Sequence, residues 1–580
     1  VGMAQLLAAV AGLITAAFSS LDQNAVQAGQ QLAGAALPPV NANVVIPPVS
    51  FQAPQLATLA ITVVACIALS FYLRRTRSGV ALRATSENPQ RAQTLGVDVD
   101  KATGRAWMIA GALSGVAACL LAMQGTGNGG ADVLTVSTLA RILAVAVIAR
   151  FASLPLTVAA ATVLGLMETV FAFAPGLSSV SNLFESVLVI IIGGALLLHR
   201  GDRIRAAADA GTGWLAAKEA RPTPDVLRRI SSIRTAKAWS IGLLVAVVLA
   251  LPWVLAPSQT VIASGLVVDA IVGLSLLVLT GWAGQISLGQ MAIAAVGAYV
   301  AAVLTAATGV NFIFALLAGG LAGALCAFLV GLPALRLRGL HLAVLTLALA
   351  LAVSDVLLSA NFLGAALPQQ LPRPVLLGID LGNETTFFYM SLLLLAAAIA
   401  AVIGLRRSRT ARALIACREN EQAAQSLGIN LTRSRLVAFT ISGFIAGIGG
   451  ALYAFDQGGV DPLAFTPAIS IAIFLMVVIG GLGSVWGPVA GAVFLGASQL
   501  LPVPYLSYIA TGAGVVFLLL VAPGGLVQLG VGLRDSLLRR VALRHGLEVP
   551  GLLPADARSH APIEPLRSKS GTAYVPWRYR

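Results

Sequence analysis

Charge is scarce in this sequence. Only 10% of its 580 residues are Asp, Glu, Lys or Arg, against 58% hydrophobic, a proportion at which water cannot be the main solvent of the folded chain. Cysteine is nearly as scarce. Cys66, Cys119 and Cys326 fall inside apolar runs and Cys417 in a basic stretch, which excludes a disulfide framework. The four histidines, His199, His341, His545 and His560, show no H-x-x-x-H spacing and no nearby acidic cluster, so no metal and no cofactor is expected. Neither G-x-x-x-x-G-K-[ST] nor G-x-S-x-G occurs. Without the first there is no phosphate cradle of that kind, and without the second or a zinc cluster an enzyme would rest on isolated carboxylates, so no catalytic residue is assigned.

What the chain has in abundance is long apolar runs. A hydrocarbon core about 30 Å thick takes roughly 20 such residues per helix, and a helix satisfies its own backbone without water. The alternating strands of a β-barrel are not seen. The expected fold is therefore an all-α, polytopic transmembrane helical protein. Candidate spans cover 3–18, 57–73, 106–124, 136–149, 154–173 and 183–199, then 238–256, 262–281, 290–307, 312–333, 341–360, 386–404, 436–455, 467–481, 488–501 and 506–522. Those at 136–149 and 488–501 are short enough to be re-entrant or tilted into protein.

The net charge of +14 does not point to nucleic acid, because Lys and Arg concentrate in a few connectors: 74–105, 200–237, 336–338, 406–435 and the tail after Arg534. The positive-inside rule makes these cytoplasmic. Segments 19–55, 125–135, 361–385 and 456–466 carry almost no positive charge, Arg373 excepted, and read as external. The polar stretch 200–237, with Pro222 and Pro224, divides a first half (1–199) from a second (238–530). Residues 531–580 form a Pro-containing cytoplasmic tail with little apolar periodicity.

The halves are copies. Arg74 to Gly96 aligns without a gap to Arg406 to Gly428, about half the positions being identical at a constant offset of 332. The same offset places Gly111 and Gly115 on Gly443 and Gly447. Both copies lie in cytoplasmic connectors, so the two pseudo-repeats are parallel, with their axis along the membrane normal. In each, a basic cluster precedes a short polar helix expected to carry Glu87-Asn88 or Glu419-Asn420 and to stop at Gly96 or Gly428. Two such knobs imply a two-fold symmetric partner.

The repeated loop, with Gly284-Gln-Ile-Ser-Leu-Gly-Gln290, Gly331-Leu-Pro-Ala-Leu-Arg-Leu-Arg-Gly339 and Gly480-Gly-Leu-Gly-Ser-Val-Trp-Gly487, resembles the permeases of branched-chain amino-acid ABC importers. Residues 238–530 resemble one permease subunit in full and 1–199 the carboxyl-terminal part of its partner, so the first half is expected to be N-terminally incomplete. Importers of urea and other amides share the resemblance, which leaves the solute open. It implies a bacterial inner-membrane location, separate ABC ATPase subunits and an extracytoplasmic solute-binding protein. It also implies that Glu87, Asn88 and Gly96, with Glu419, Asn420 and Gly428, form the coupling segments seated in the ATPase. The first copy departs from the pattern at Ala149-Arg-Phe-Ala-Ser153, which loses the glycines of Gly480-Gly-Leu-Gly-Ser484.

Two carboxylates lie deep in apolar runs, Glu168 and Asp269. Each is either a polar contact in a translocation path or an interhelical hydrogen bond. Arg141, nearer a span end, could snorkel to the interface. Gly281, Gly284, Gln285 and Gly289 either interrupt a helix beside the pathway, leaving amides for a substrate carboxylate, or serve close packing. Proton coupling through Glu168 or Asp269, and a non-transporting scaffold, are the rivals to an ATP-driven permease.

Overall fold

The computed structural model describes residues 44–46, 49–51, 53–123, 136–150, 153–173, 183–198, 231–335, 337, 339–358, 364–368, 370–373, 375–376, 379–499 and 524–544. The candidate spans 3–18 and 506–522, most of the linker and most of the tail lie outside them.

The fold is helical. In the first half, a β1–β2 hairpin (Val44–Ile46, Val49–Phe51) precedes α1 (Ala53–Arg75), α2 (Arg77–Glu87), α3 (Pro89–Thr94) and α4 (Val99–Met123). Three further helices follow: α5 (Val136–Ile148), α6 (Leu154–Phe173) and α7 (Leu183–Leu198). After α8 (Ser231–Val254), the second half runs through α9 (Pro257–Leu276, continued by a π-helical turn Leu277–Trp282), α10 (Gln290–Thr308), α11 (Phe312–Ala334) and α12 (Leu340–Leu351). A β3–β4 hairpin (Val375–Leu376, Ile379–Asp380) leads into α13 (Glu384–Arg406), α14 (Arg409–Glu419), α15 (Glu421–Ser426) and α16 (Leu431–Asp456). Last come α17 (Pro467–Gly480), α18 (Gly487–Gln499) and α19 (Leu526–Arg544). Among the described residues eight helices are long and apolar enough to cross a membrane, α1, α4, α6, α9, α10, α11, α13 and α16. This makes the chain an all-α multi-pass membrane protein. The helices at 136–148 and 487–499 have 13 residues each, about 20 Å, too short to span a bilayer upright.

By contact the chain forms two compact units, residues 1–218 with 252–526, and residues 219–251 with 527–580. Within the larger unit α16 is the central post, packed on α9, α10 and α11. It can approach them because its contact face carries glycine. A Cβ at Gly443 would lie 2.3 Å from the Ala327 Cβ, one at Gly447 2.4 Å from the Gly319 carbonyl oxygen, and one at Gly450 1.8 Å from that of Ala294. Backbones therefore touch with no side chain between them, as small-residue packing in membranes permits. The first half meets the second where α5 and α7 pack on α12.

The repeat is visible element by element. At the offset of 332, α1 matches α13, α2 matches α14, α3 matches α15, α4 matches α16 and α5 matches α17, each boundary agreeing within about one residue. Environment differs between the copies. Gly111 and Gly115 on α4 meet nothing within 4 Å, whereas their counterparts Gly443 and Gly447 are in close contact with α11. At the departing turn, where Ala149–Ser153 align with Gly480–Ser484 at an offset of 331, Arg150 adopts φ 59° where the aligned Gly481 has φ 116°, so the turn keeps a positive φ without its glycine.

Candidate functional site

Each connector loop is two short helices meeting at asparagine, which corrects the expectation of one polar helix carrying the Glu-Asn pair. Asn88 and Asn420 both have φ −155°, ψ 103° and end one helix while capping the next. Their Oδ1 atoms accept the Arg91 and Ala423 amides, both at 2.9 Å. An extended residue cannot continue a helix, and a side-chain cap offsets the amides the break exposes. In the first copy Pro89 also disfavours helical backbone at Asn88. Gly96 (φ 81°) and Gly428 (φ 80°) close the two loops in the left-handed region. Val97 and Ile429 then donate back to the Ala92 and Ala424 carbonyls at 3.0 Å, the return bond of a helix-ending motif.

Glu87 and Glu419 are exposed, Glu419 accepting a bond from Arg418. Between cap and glycine, sequence reasoning passed over a leucine. Leu95 and Leu427 hold equivalent positions and each is 80% exposed. This apolar tip is repeated on two otherwise polar loops. Its signal was available as a large apolar residue before the closing glycine in both copies.

Beneath the second loop lies the interruption between α9 and α10. At the π-helical turn Gln285 donates its amide to the Leu279 carbonyl, at 3.0 Å, rather than to that of Gly281. The Gly281 carbonyl instead accepts from Arg418 Nη1 on α14. Gly284 (φ 68°) sits against the same side chain, where a Cβ would be 2.8 Å from Arg418 Cγ. Arg406 lies over the Trp282 ring at 5.7 Å. A cavity of about 70 Å³ separates the elements, lined by Gly284, Gln285, Cys417, Arg418, Glu421 and Arg435. Arg435 and Glu421 are paired across its wall, and burial pushes the Cys417 thiol up.

The amides expected to face a substrate have protein partners. Gly284 donates to the Thr280 carbonyl (3.2 Å), Leu288 to Thr346 Oγ1 (2.9 Å) and Met291 to Ser470 Oγ (3.0 Å). Gln290 Nε2 bonds Ser275 Oγ (2.7 Å) and Ser442 Oγ (2.9 Å), tying the re-entry point to α9 and α16. At Gly289 a Cβ would stand 2.0 Å from the Thr346 carbonyl oxygen, so that glycine serves close packing. Buried polar groups so fully satisfied make the interruption a rigid, specified structure.

Glu168 is placed elsewhere, on α6, in an ion pair with Arg141 of α5 at 2.6 Å. Arg141 also lies over the Phe184 ring at 5.5 Å. The pair supplies the interhelical contact and engages the arginine that sequence reasoning sent to the interface. Asp269 is partly buried on α9 with Asp456 as its charged neighbour. At the end of α16, Arg373 donates to the Phe455 and Asp456 carbonyls (3.2 and 2.7 Å) and pairs with Glu384 at 2.9 Å. It thereby caps the helix that its charge made conspicuous in the sequence. The structure thus gathers Asn420, Gly428, Gly284 and Gln285 around one end of α16, Asp269 near the other, and leaves Glu168 apart.

Comparison with known proteins finds two matching regions in the chain. The family model for the branched-chain amino acid transport system permease component matches residues 3–193 and again 260–523. The high-affinity branched-chain amino acid transport system permease protein LivM of Salmonella typhimurium is 33% identical over 320 residues, covering 50% of this chain and 75% of that protein. LivM of Escherichia coli gives the same identity and coverage. LivH of Salmonella typhimurium, of the same transport system, is 33% identical over 135 residues, covering 23% of this chain and 44% of its own length. No solved structure matches the chain. With two family matches laid over two structural repeats, the chain belongs to the branched-chain amino acid transport permease components, two of them joined in one polypeptide.

Proposed function

We propose that this chain is the membrane component of an ATP-driven importer of branched-chain amino acids in a bacterial inner membrane. The two loops, α2–α3 and α14–α15, face the cytosol and seat in a pair of separate ABC ATPase subunits. An extracytoplasmic binding protein delivers the solute. The observation that carries this is the identical construction of the loops: one asparagine conformation, one closing glycine and one 80% exposed leucine in each copy. Helix surfaces facing lipid diverge freely, whereas two loops entering similar grooves are held to one shape. The names of the LivM and LivH relatives support the solute class.

The test is leucine uptake into vesicles containing the chain with its ATPase subunits and binding protein. Uptake that requires ATP on the loop side and survives collapse of the proton gradient is expected. Uptake that follows the proton gradient without ATP would establish the secondary-transporter alternative instead.

A further inference from the structure

The two loops look interchangeable from the cytosol, but they are not wired alike to the membrane helices. In the second copy Arg418, the penultimate residue of α14, reaches past the end of its own helix to the Gly281 carbonyl. That carbonyl is one the π-helical turn deprives of its amide partner, since Gln285 bonds Leu279. A guanidinium is suited to the task. Its fork of donors holds Gly281 with Nη1 and the exposed Glu419 with Nη2, so one planar group ties the loop carboxylate to the helix interruption. Gly284 keeps the approach open, because any Cβ there would strike the Arg418 stem. In the first copy the equivalent position is Ser86. Its hydroxyl donates to the Arg83 carbonyl one turn back, at 2.8 Å, and among the described residues bonds no other element. Likewise Glu421, paired with Arg435 of α16, is Pro89 in the first copy, and Arg435 is Thr103.

We infer that Arg418 is a positioning residue that passes displacement of the α14–α15 loop to the α9–α10 interruption, and that coupling in this permease is asymmetric. The second loop both docks and transmits, while the first docks. The consequence for transport rests on the ATP-driven reading above. The contact itself does not.

Two measurements separate these. In the purified full chain, hydrogen exchange of amides 277–289 should rise about tenfold in Arg418→Ala, stay near wild type in Arg418→Lys, and be unchanged in Ser86→Ala. Unchanged exchange in Arg418→Ala overturns the link whether or not the protein transports. In vesicles with the ATPase subunits, Arg418→Ala should keep hydrolysis and ATPase co-purification but lose at least ~5-fold in leucine moved per ATP, a loss within the usual range of coupling between sites. Arg418→Lys should restore part of it, and Ser86→Ala should lose none. Equal losses in Arg418→Ala and Ser86→Ala, or uptake falling only in step with hydrolysis, would overturn the asymmetry. A wild-type chain without ATP-dependent uptake would overturn the proposed function and leave the exchange experiment to decide the link.

Discussion

Alanine at Gly447 and alanine at Gly115 are the same substitution at the same place in two copies of one helix, and they should have opposite effects. At Gly447 the new methyl would lie 2.4 Å from the Gly319 carbonyl oxygen and 3.1 Å from the Gly320 Cα. That is about 1 Å inside ordinary contact, and the obstacle is backbone, which cannot swing aside as a side chain would. Overpacking of this kind costs about 1–3 kcal/mol. At Gly115 nothing lies within 4 Å, and replacing a mid-helix glycine by alanine returns up to about 1 kcal/mol of backbone entropy. The two variants should therefore differ by roughly 2–4 kcal/mol in the same protein. Unfolding in detergent titrated with SDS, followed by circular dichroism, reads the difference directly. Gly447→Ala should unfold at lower SDS than wild type and Gly115→Ala at equal or higher SDS. Equal destabilisation by the two would refute the assignment of tight packing to one copy alone.

The exposed leucines supply a second test. Burying a leucine side chain contributes about 1.5–3 kcal/mol, so Leu95→Asp with Leu427→Asp should release the ATPase subunits on pull-down while the permease still inserts, and retention at wild-type level would sink the docking assignment. Glu168→Gln should leave ATP-driven uptake intact, because Glu168 is paired with Arg141 of α5, apart from the α9–α10 interruption, and the Gln side-chain oxygen can still accept from the guanidinium. Loss of transport without loss of stability in that variant would return Glu168 to the pathway.

Much of this architecture was legible in the residues because a bilayer leaves few choices. Apolar runs marked helices, and the offset of 332 tied α2–α3 to α14–α15 before any coordinate. The cap at Asn88 was harder to see. Asparagine is compatible with both a helix interior and a cap, and only Pro89 hinted at the break. The interruption after α9 showed itself as glycines, but sequence cannot say that Ser470, Thr346 and the Gly281 carbonyl's partner Arg418 come from 58 to 179 residues away to satisfy it. Long-range partners of this kind carry no local pattern. One clue was present unread: Gly449-Gly450 of the packed copy are Ala117-Ala118 in the other, a difference of size that accompanies the open space at Gly111 and Gly115.

The glycine-lined post has a mechanical consequence. With 26 residues, α16 is about 39 Å long, and where Gly443, Gly447 and Gly450 meet α10 and α11 backbone lies against backbone, with no rotamer at those points to absorb a shift. It is therefore a stiff lever. Its near end begins directly after the closing turn of the α14–α15 loop, and its far end is gripped by Arg373 through the last two carbonyls. A tilt of about 5° at the loop would carry the far end some 3 Å sideways over that length. Because Arg373 is also paired with Glu384, that travel would be handed to the start of α13, at the end of the helices away from the α14–α15 loop.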